Sequence, residues 1–108
     1  MDMTLREVCD TCNVSRRAIR GYEKAGLILA SGKNEWGHLL YDEDSQERIR
    51  RIRLFQQMGF SLKEIGEIID APNDILKAAL VKQIEKLKEQ REDIEEIIHK
   101  TYAIIEKL

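Results

Sequence analysis

Nine positions near the end of this 108-residue chain constrain its fold more than any others. Leu80, Ile84, Leu87, Arg91, Ile94, Ile98, Thr101, Ile105 and Leu108 follow one another by alternating steps of four and three. That is the seam of a long heptad helix, with Ile84 and Arg91 at position a and Leu80, Leu87 and Thr101 at d. Ile97, Tyr102 and Ile104 widen the apolar face. Asp74 is expected to cap the helix, just after the break at Ala71-Pro72-Asn73. No other segment of the chain is long enough to cover such a stripe. Residues 72–108 are therefore expected to be a coiled-coil dimerisation helix that pairs with a second copy of itself.

Residues 1–71 then suit one small domain. The whole chain is 43% hydrophobic and 35% charged, with one proline and six glycines, which excludes a low-complexity tract and favours helix. A net charge of −2 does not by itself point to nucleic acid. The charges are segregated, however. Arg16, Arg17, Arg20 and Lys24 form one basic cluster and Arg48, Arg50, Arg51 and Arg53 another, while acids gather at Glu92-Asp93-Glu95-Glu96. Such segregation is compatible with DNA binding on one side only. Without a signal peptide, a membrane-spanning apolar run or a lipidation signature, the protein is expected in the cytoplasm.

Taken in order, Thr4 to Cys12 reads as a helix with Thr4 and Glu7 in a capping box and Leu5, Val8, Cys9 and Cys12 on its apolar face. Asn13 tolerates a left-handed turn, Ser15 caps a second helix, and Gly26 is placed to end it. Two short helices joined by so tight a turn make a helix-turn-helix. In the second, Ile19 and Tyr22 share the inner face. The four cations on its other face, set against the single acid Glu23, fit either a solvated surface or a DNA-reading helix. In the latter, the first residues reach base edges and the amide dipoles favour phosphate. Leu27 to Tyr41 loses helical periodicity and suggests a two-stranded hairpin, which in this position is a wing. Asp42 then caps a helix to Met58 with Ile49, Ile52, Phe55 and Met58 inward, and Gly59 stops it. Ser61 opens another, carrying Leu62, Ile65, Ile68 and Ile69. Its free amides at Ser61-Leu62-Lys63, with Lys63 beside them, offer a phosphate contact; capping alone explains Ser61 equally well.

Val14-Ser15, Arg17, Ile19-Arg20, Tyr22-Glu23, Gly26-Leu27, Gly37, Tyr41 and Met58-Gly59-Phe60-Ser61-Leu62-Lys63-Glu64-Ile65 occur in an order and spacing that resembles the mercury-resistance regulator (MerR) family of bacterial transcription factors. The resemblance covers nearly the whole chain. It implies a mostly α protein: a winged helix-turn-helix DNA-binding domain over 1–71, then an antiparallel coiled-coil dimerisation helix over 72–108. It further implies a homodimer on a near-palindromic element of double-stranded promoter DNA. That DNA would be bent and untwisted so that RNA polymerase can engage it. The DNA contacts so implied are Ser15, Arg16, Arg17, Arg20 and Tyr22 in the second helix, Lys33, His38 and Tyr41 in the wing, and Ser61 and Lys63. The nine seam residues form the dimer interface.

Three departures stand out. Gly21 replaces the family's aromatic residue, and Leu39 replaces the wing arginine in Gly37-His38-Leu39-Leu40-Tyr41. Lys33, His38 or Trp36 is left to take over that contact. Gln46 occupies a site where an apolar residue is usual. The 108 residues end with the coiled coil, so no effector domain is expected after it, and Asn73-Asp74-Ile75-Leu76 lacks the cysteine of metal-sensing relatives. No metal or cofactor is therefore expected, and either the chain is truncated or its input arrives by another route. Cys9-Asp10-Thr11-Cys12 could be a redox pair or half a zinc site. Two thiols are too few for zinc, and His38 and His99 lie far off in sequence. Both cysteines are expected to be buried hydrophobes and His99 a solvated residue of the coiled coil. No catalytic set is recognisable, so an enzyme is not expected. The competing readings are an interaction module of the same fold that has lost DNA binding through Gly21 and Leu39, and a thiol enzyme.

Overall fold

Local cap chemistry sets where the first four helices begin. The structure, a computed structural model, describes residues 1–108 and divides into two compact units, Met1–Asp70 and Ala71–Leu108. In the first unit, α1 (Leu5–Cys12), α2 (Arg16–Lys24), α3 (Glu43–Gln57) and α4 (Leu62–Ile68) follow Thr4, Ser15, Asp42 and Ser61. The four side chains accept from the amides of Glu7, Ala18, Ser45 and Glu64. Glu7 and Glu64 return the bond to the cap amides, so both ends are full capping boxes. Asn13 takes φ 54° between α1 and α2. Gly26 takes φ 76° after α2, and there the Leu27 amide reaches back to the Tyr22 carbonyl at 3.0 Å. A side chain at Gly26 would be strained in that left-handed turn.

The wing departs from the expected hairpin. Its sheet has three antiparallel strands in the order β1 (Met3–Thr4), β3 (Leu39–Tyr41), β2 (Gly32–Lys33). Met3 lies opposite Tyr41, and Gly32 opposite Leu40. A two-residue strand has no periodicity to read, and the partner of β1 lies far along the chain. Leu27 and Ile28 are not strand at all; they are buried as loop residues, with Leu27 against Gly66 of α4.

Val8, Ile19, Tyr22, Tyr41, Ile49, Ile52 and Ile65 are fully enclosed and make the centre of the core. Phe55 and Phe60 meet edge to face, with centroids 6.0 Å apart. Gln46 is buried too, but its amide donates to the Met1 and Tyr41 carbonyls, each at 2.8 Å. The polar residue in an apolar position is thus satisfied, and it ties the N-terminal segment and β3 to α3. Arg48 does similar work further along α3. Its guanidinium donates to both carboxylate oxygens of Asp70, at 2.7 and 2.9 Å, and to the Leu27 carbonyl.

The second unit is α5 (Asn73–Glu106), 34 residues long. It starts from Pro72 at φ −55° with no side-chain cap, so Asp74 is not the cap the sequence suggests. Proline fixes the extended entry by itself, and Asp74 sits within the first turn, where its charge still suits the helix dipole. Glu85–Lys88 at 3.8 Å and Glu96–Lys100 at 3.3 Å line the surface of α5 as ion pairs. They contribute little, since such exposed pairs are each worth roughly 0.3–0.5 kcal/mol. Propensity and short pairs do not account for a helix of this length standing with its apolar stripe in water.

Candidate nucleic-acid interface

Helix α2 is held from beneath and bare above. Ile19 and Tyr22 fix its inner face in the core, and the Ser15 hydroxyl accepts from the Ala18 amide at 3.0 Å. Arg16, Arg17 and Arg20 are exposed on the other face and make no ion pair within the chain. The one acid of α2, Glu23, is turned toward the wing and accepts from the Tyr41 hydroxyl at 2.5 Å. The first half of α2 therefore presents three uncompensated guanidinium groups beside its own N-terminal amides. That surface suits an extended polyanion.

Two of the expected DNA-contacting residues belong elsewhere. Tyr22 and Tyr41 have no exposed surface. The Tyr22 hydroxyl donates to Gln56 Oε1 at 2.6 Å, and that of Tyr41 is engaged by Glu23. Each ring is a core element whose polar end is already paired, so neither is free to touch a ligand. Burial raises the phenol of Tyr22, and burial with the adjacent Glu23 raises that of Tyr41 further, so both stay neutral donors. Ser61 caps α4: its hydroxyl accepts from the Glu64 amide and its own amide donates to the Glu64 carboxylate, while the side chain stays exposed with its O–H still able to donate. Lys63 remains exposed. It is carried close to α2, since a Cβ on Gly21 would lie 3.9 Å from Leu62 Cδ1.

The wing tip is a pinned turn. Asn34 Oδ1 accepts from the Trp36 and His38 amides at 3.0 and 2.9 Å, and Gly37 takes φ 80°. Lys33, Trp36 and His38 are all exposed on it, Trp36 to 73%. Gly37, His38 and Leu39 line a depression shared with Arg6 of α1 and Arg16 of α2. Arg6 escapes a sequence reading because only the folding of the wing against α1 brings it to this place.

The second basic cluster is largely spent on structure. Arg48 is bound to Asp70, Arg50 lies 3.4 Å from Glu47, and Arg51 stacks 5.5 Å above the Phe55 ring. Cys9 and Cys12 are free thiols, Cys9 half-buried and Cys12 buried. Burial pushes the Cys12 thiol up, away from the thiolate a redox nucleophile needs. On α5, Ile84, Leu87, Ile94, Ile98 and Ile105 are exposed, as are Arg91 and Thr101, while Leu80 is half-buried; Leu108, also exposed, lies just past the end of the helix. Thr101 turns its hydroxyl back to the Ile97 carbonyl at 2.8 Å, so its oxygen is already satisfied within the helix.

The chain is similar to known proteins over most of its length. A family model described as MerR HTH family regulatory protein matches residues 3–72, and one described as MerR, DNA binding matches 46–108. The HTH-type transcriptional activator mta of Bacillus subtilis is 34% identical over 98 residues, covering 91% of the chain. The chain spans 38% of that relative's length. A crystal structure of a MerR family transcriptional regulator from Bacillus cereus superposes with TM-score 0.79 at 31% identity, over 91% of this chain and 75% of that one. The fold is also that of HiNmlR, a MerR family regulator lacking the sensor domain, solved bound to promoter DNA. Its TM-score is 0.73 at 20% identity, over 91% of this chain and 79% of that one.

Proposed function

The chain belongs to the MerR family of helix-turn-helix regulatory proteins, and from that premise we propose that it is a homodimeric transcription regulator acting on a near-palindromic element of promoter DNA. One observation carries the reading: the capped, core-anchored start of α2 exposes Arg16, Arg17 and Arg20 with no acid to neutralise them. Arginines at the N-terminal half of a recognition helix can pair with guanine edges in the major groove or with phosphates. Lys33 and His38 in the wing and Lys63 at the start of α4 add backbone contacts on either side.

Pairing of two copies along α5, antiparallel, supplies the second half-site and covers the exposed seam. Activation then works by bending and untwisting the DNA so that RNA polymerase can engage it, an energetic readout at positions the protein does not touch. The test is binding to the duplex immediately upstream of the protein's own coding region. Binding that is tighter than to a scrambled duplex, and falls steeply with salt, supports the reading. Equal and negligible affinity for both duplexes, with the dimer intact, would instead favour an interaction module that has kept only the fold.

A further inference from the structure

The depression between α1, α2 and the wing is the least expected feature of the surface. Arg6 reaches it from the first turn of α1, Arg16 from the start of α2 and His38 from the wing, with Leu39 on its wall. Three elements thus converge three nitrogen-bearing side chains on one hollow, and no carboxylate lines it. Neither Arg6 nor Arg16 has an ion-pair partner in the chain. The nearby acid of α1, Glu7, does not line the hollow itself; it is held in its capping box, where it accepts from the amide and hydroxyl of Thr4, a residue of the hollow's wall. Cations gathered in this way repel one another unless an anion lies between them.

We propose that this hollow is a phosphate subsite for the DNA backbone and that Arg6 is its principal new ligand, placed to supply beside the wing the guanidinium that Leu39 cannot. The inference rests on the DNA-binding reading above and adds to it a residue outside the recognition helix and the wing. The geometry favours a backbone phosphate over a base edge. The hollow lies between the start of α1 and the wing rather than on the crest of α2, and its wall is broad enough for a tetrahedral anion held by separate hands. Arginine suits the task because its planar fork can bind two phosphate oxygens at once. The wing turn adjoining the hollow is fixed by Asn34, so its side of the site is preformed.

The test uses the full chain and two duplexes of equal length, the protein's own upstream region and a random sequence, titrated at several salt concentrations. Trp36 is the only tryptophan and directly precedes Gly37, which lines the hollow, so its fluorescence serves as the readout of occupancy. Arg6→Gln is expected to weaken binding to both duplexes by the same factor and to lower the salt slope by about one per protomer. The Trp36 signal at saturation should persist. Arg17→Ala serves as the reference on α2, and Arg6→Lys should recover part of the loss. Millimolar inorganic phosphate without DNA is the remaining arm. If it alone saturates the Trp36 response, and Arg6→Gln leaves the DNA titrations unchanged, the site is one for a free anion and the proposal falls. It falls equally if Arg17→Ala loses affinity while Arg6→Gln matches the parent in affinity and slope. If the parent protein binds neither duplex, it is the DNA-binding reading itself that fails, and the subsite with it.

Discussion

Tyr41, in the last strand of the wing, donates its hydroxyl to Glu23, near the end of α2, across 2.5 Å. The bond joins the wing to the helix proposed to read the bases, and the raised Tyr41 phenol keeps its proton to make it. Tyr41→Phe should cost about 1–2 kcal/mol, because it leaves a charged acceptor without its donor. A pH dependence follows from the raised phenol. A group whose pKa is higher in the folded chain contributes its full stability below the unfolded value, about 10 for tyrosine, and loses it as pH rises beyond that. Denaturant midpoints should therefore fall steeply above about pH 10 in the parent. The fall should be shallower in Tyr41→Phe, which keeps only one of the two raised phenols, that of Tyr22. A variant as alkali-sensitive as the parent would remove Tyr41 from this role.

Arg17→Ala and Arg20→Ala should each weaken DNA binding without altering the thermal midpoint, since both side chains are exposed and unpaired. A lost base contact costs about 1–3 kcal/mol and relaxes specificity at one position, whereas a lost phosphate contact lowers the salt slope by about one. Titration against single-base variants of the bound duplex separates the two.

Gly21→Ala should stabilise the protein. The glycine sits inside α2, and a Cβ there would find its nearest neighbour, Leu62 Cδ1, at an ordinary 3.9 Å. Replacing a helix-interior glycine gains about 1 kcal/mol. Chemical denaturation would show it; a loss of stability would mean that α2 and α4 pack more tightly than this separation indicates.

Asp70→Asn and Arg48→Met should differ in size. Asp70 is largely exposed, so removing its charge loses a surface pair worth about 0–1 kcal/mol. Arg48→Met also strips a donor from the carbonyl of buried Leu27 and should cost more, about 1–3 kcal/mol. The Arg48 guanidinium holds the Asp70 carboxyl below its usual value. That small contribution is present above about pH 4 and is lost as pH falls through the depressed folded value. An acid titration of the parent against Asp70→Asn measures it.

Ile94→Asp or Ile98→Asp should abolish tight operator binding, although neither residue belongs to the unit that carries α2. Either puts a carboxylate into the proposed seam, where an unpaired buried charge costs several kcal/mol, on the order of what holds a dimer together. Sedimentation should report the monomer mass, and affinity for the full element should drop on the order of 10²–10⁴ as the second half-site's effective concentration is lost. A variant that stays dimeric, or a monomer with parental affinity, would overturn the pairing along α5.

What the sequence disclosed and what it hid divide along the range of the interactions. Thr4, Ser15, Asp42 and Ser61 are legible as helix starts because each cap involves a donor only three residues away. Asn13 and Gly26 are legible for a similar reason, since their turns demand a backbone state few residues tolerate. Strand β1 is invisible because Met3 and Thr4 have meaning only opposite Tyr41 and Leu40. Tyr22 and Tyr41 were expected at the DNA surface on the strength of motif position, yet the spacing of Ile19 and Tyr22 already put that tyrosine on the inner face. The arginines of α2 declare themselves as a local cluster. Arg6 does not, because its neighbours in the hollow are brought to it by the fold.

Arg48 has one more consequence, for the order in which the first unit assembles. Its side chain reaches 21 residues back to Leu27 and 22 residues forward to Asp70. Each contact closes a loop, and closing loops of that length is entropically uphill until the flanking elements have docked. A side-chain clamp that needs both partners in place is expected to engage after the folding barrier rather than before it. Contacts made there do little to hasten folding and much to slow the reverse step. Arg48→Met should therefore speed unfolding more than it slows folding, as expected of a latch that engages once α3 is already in place.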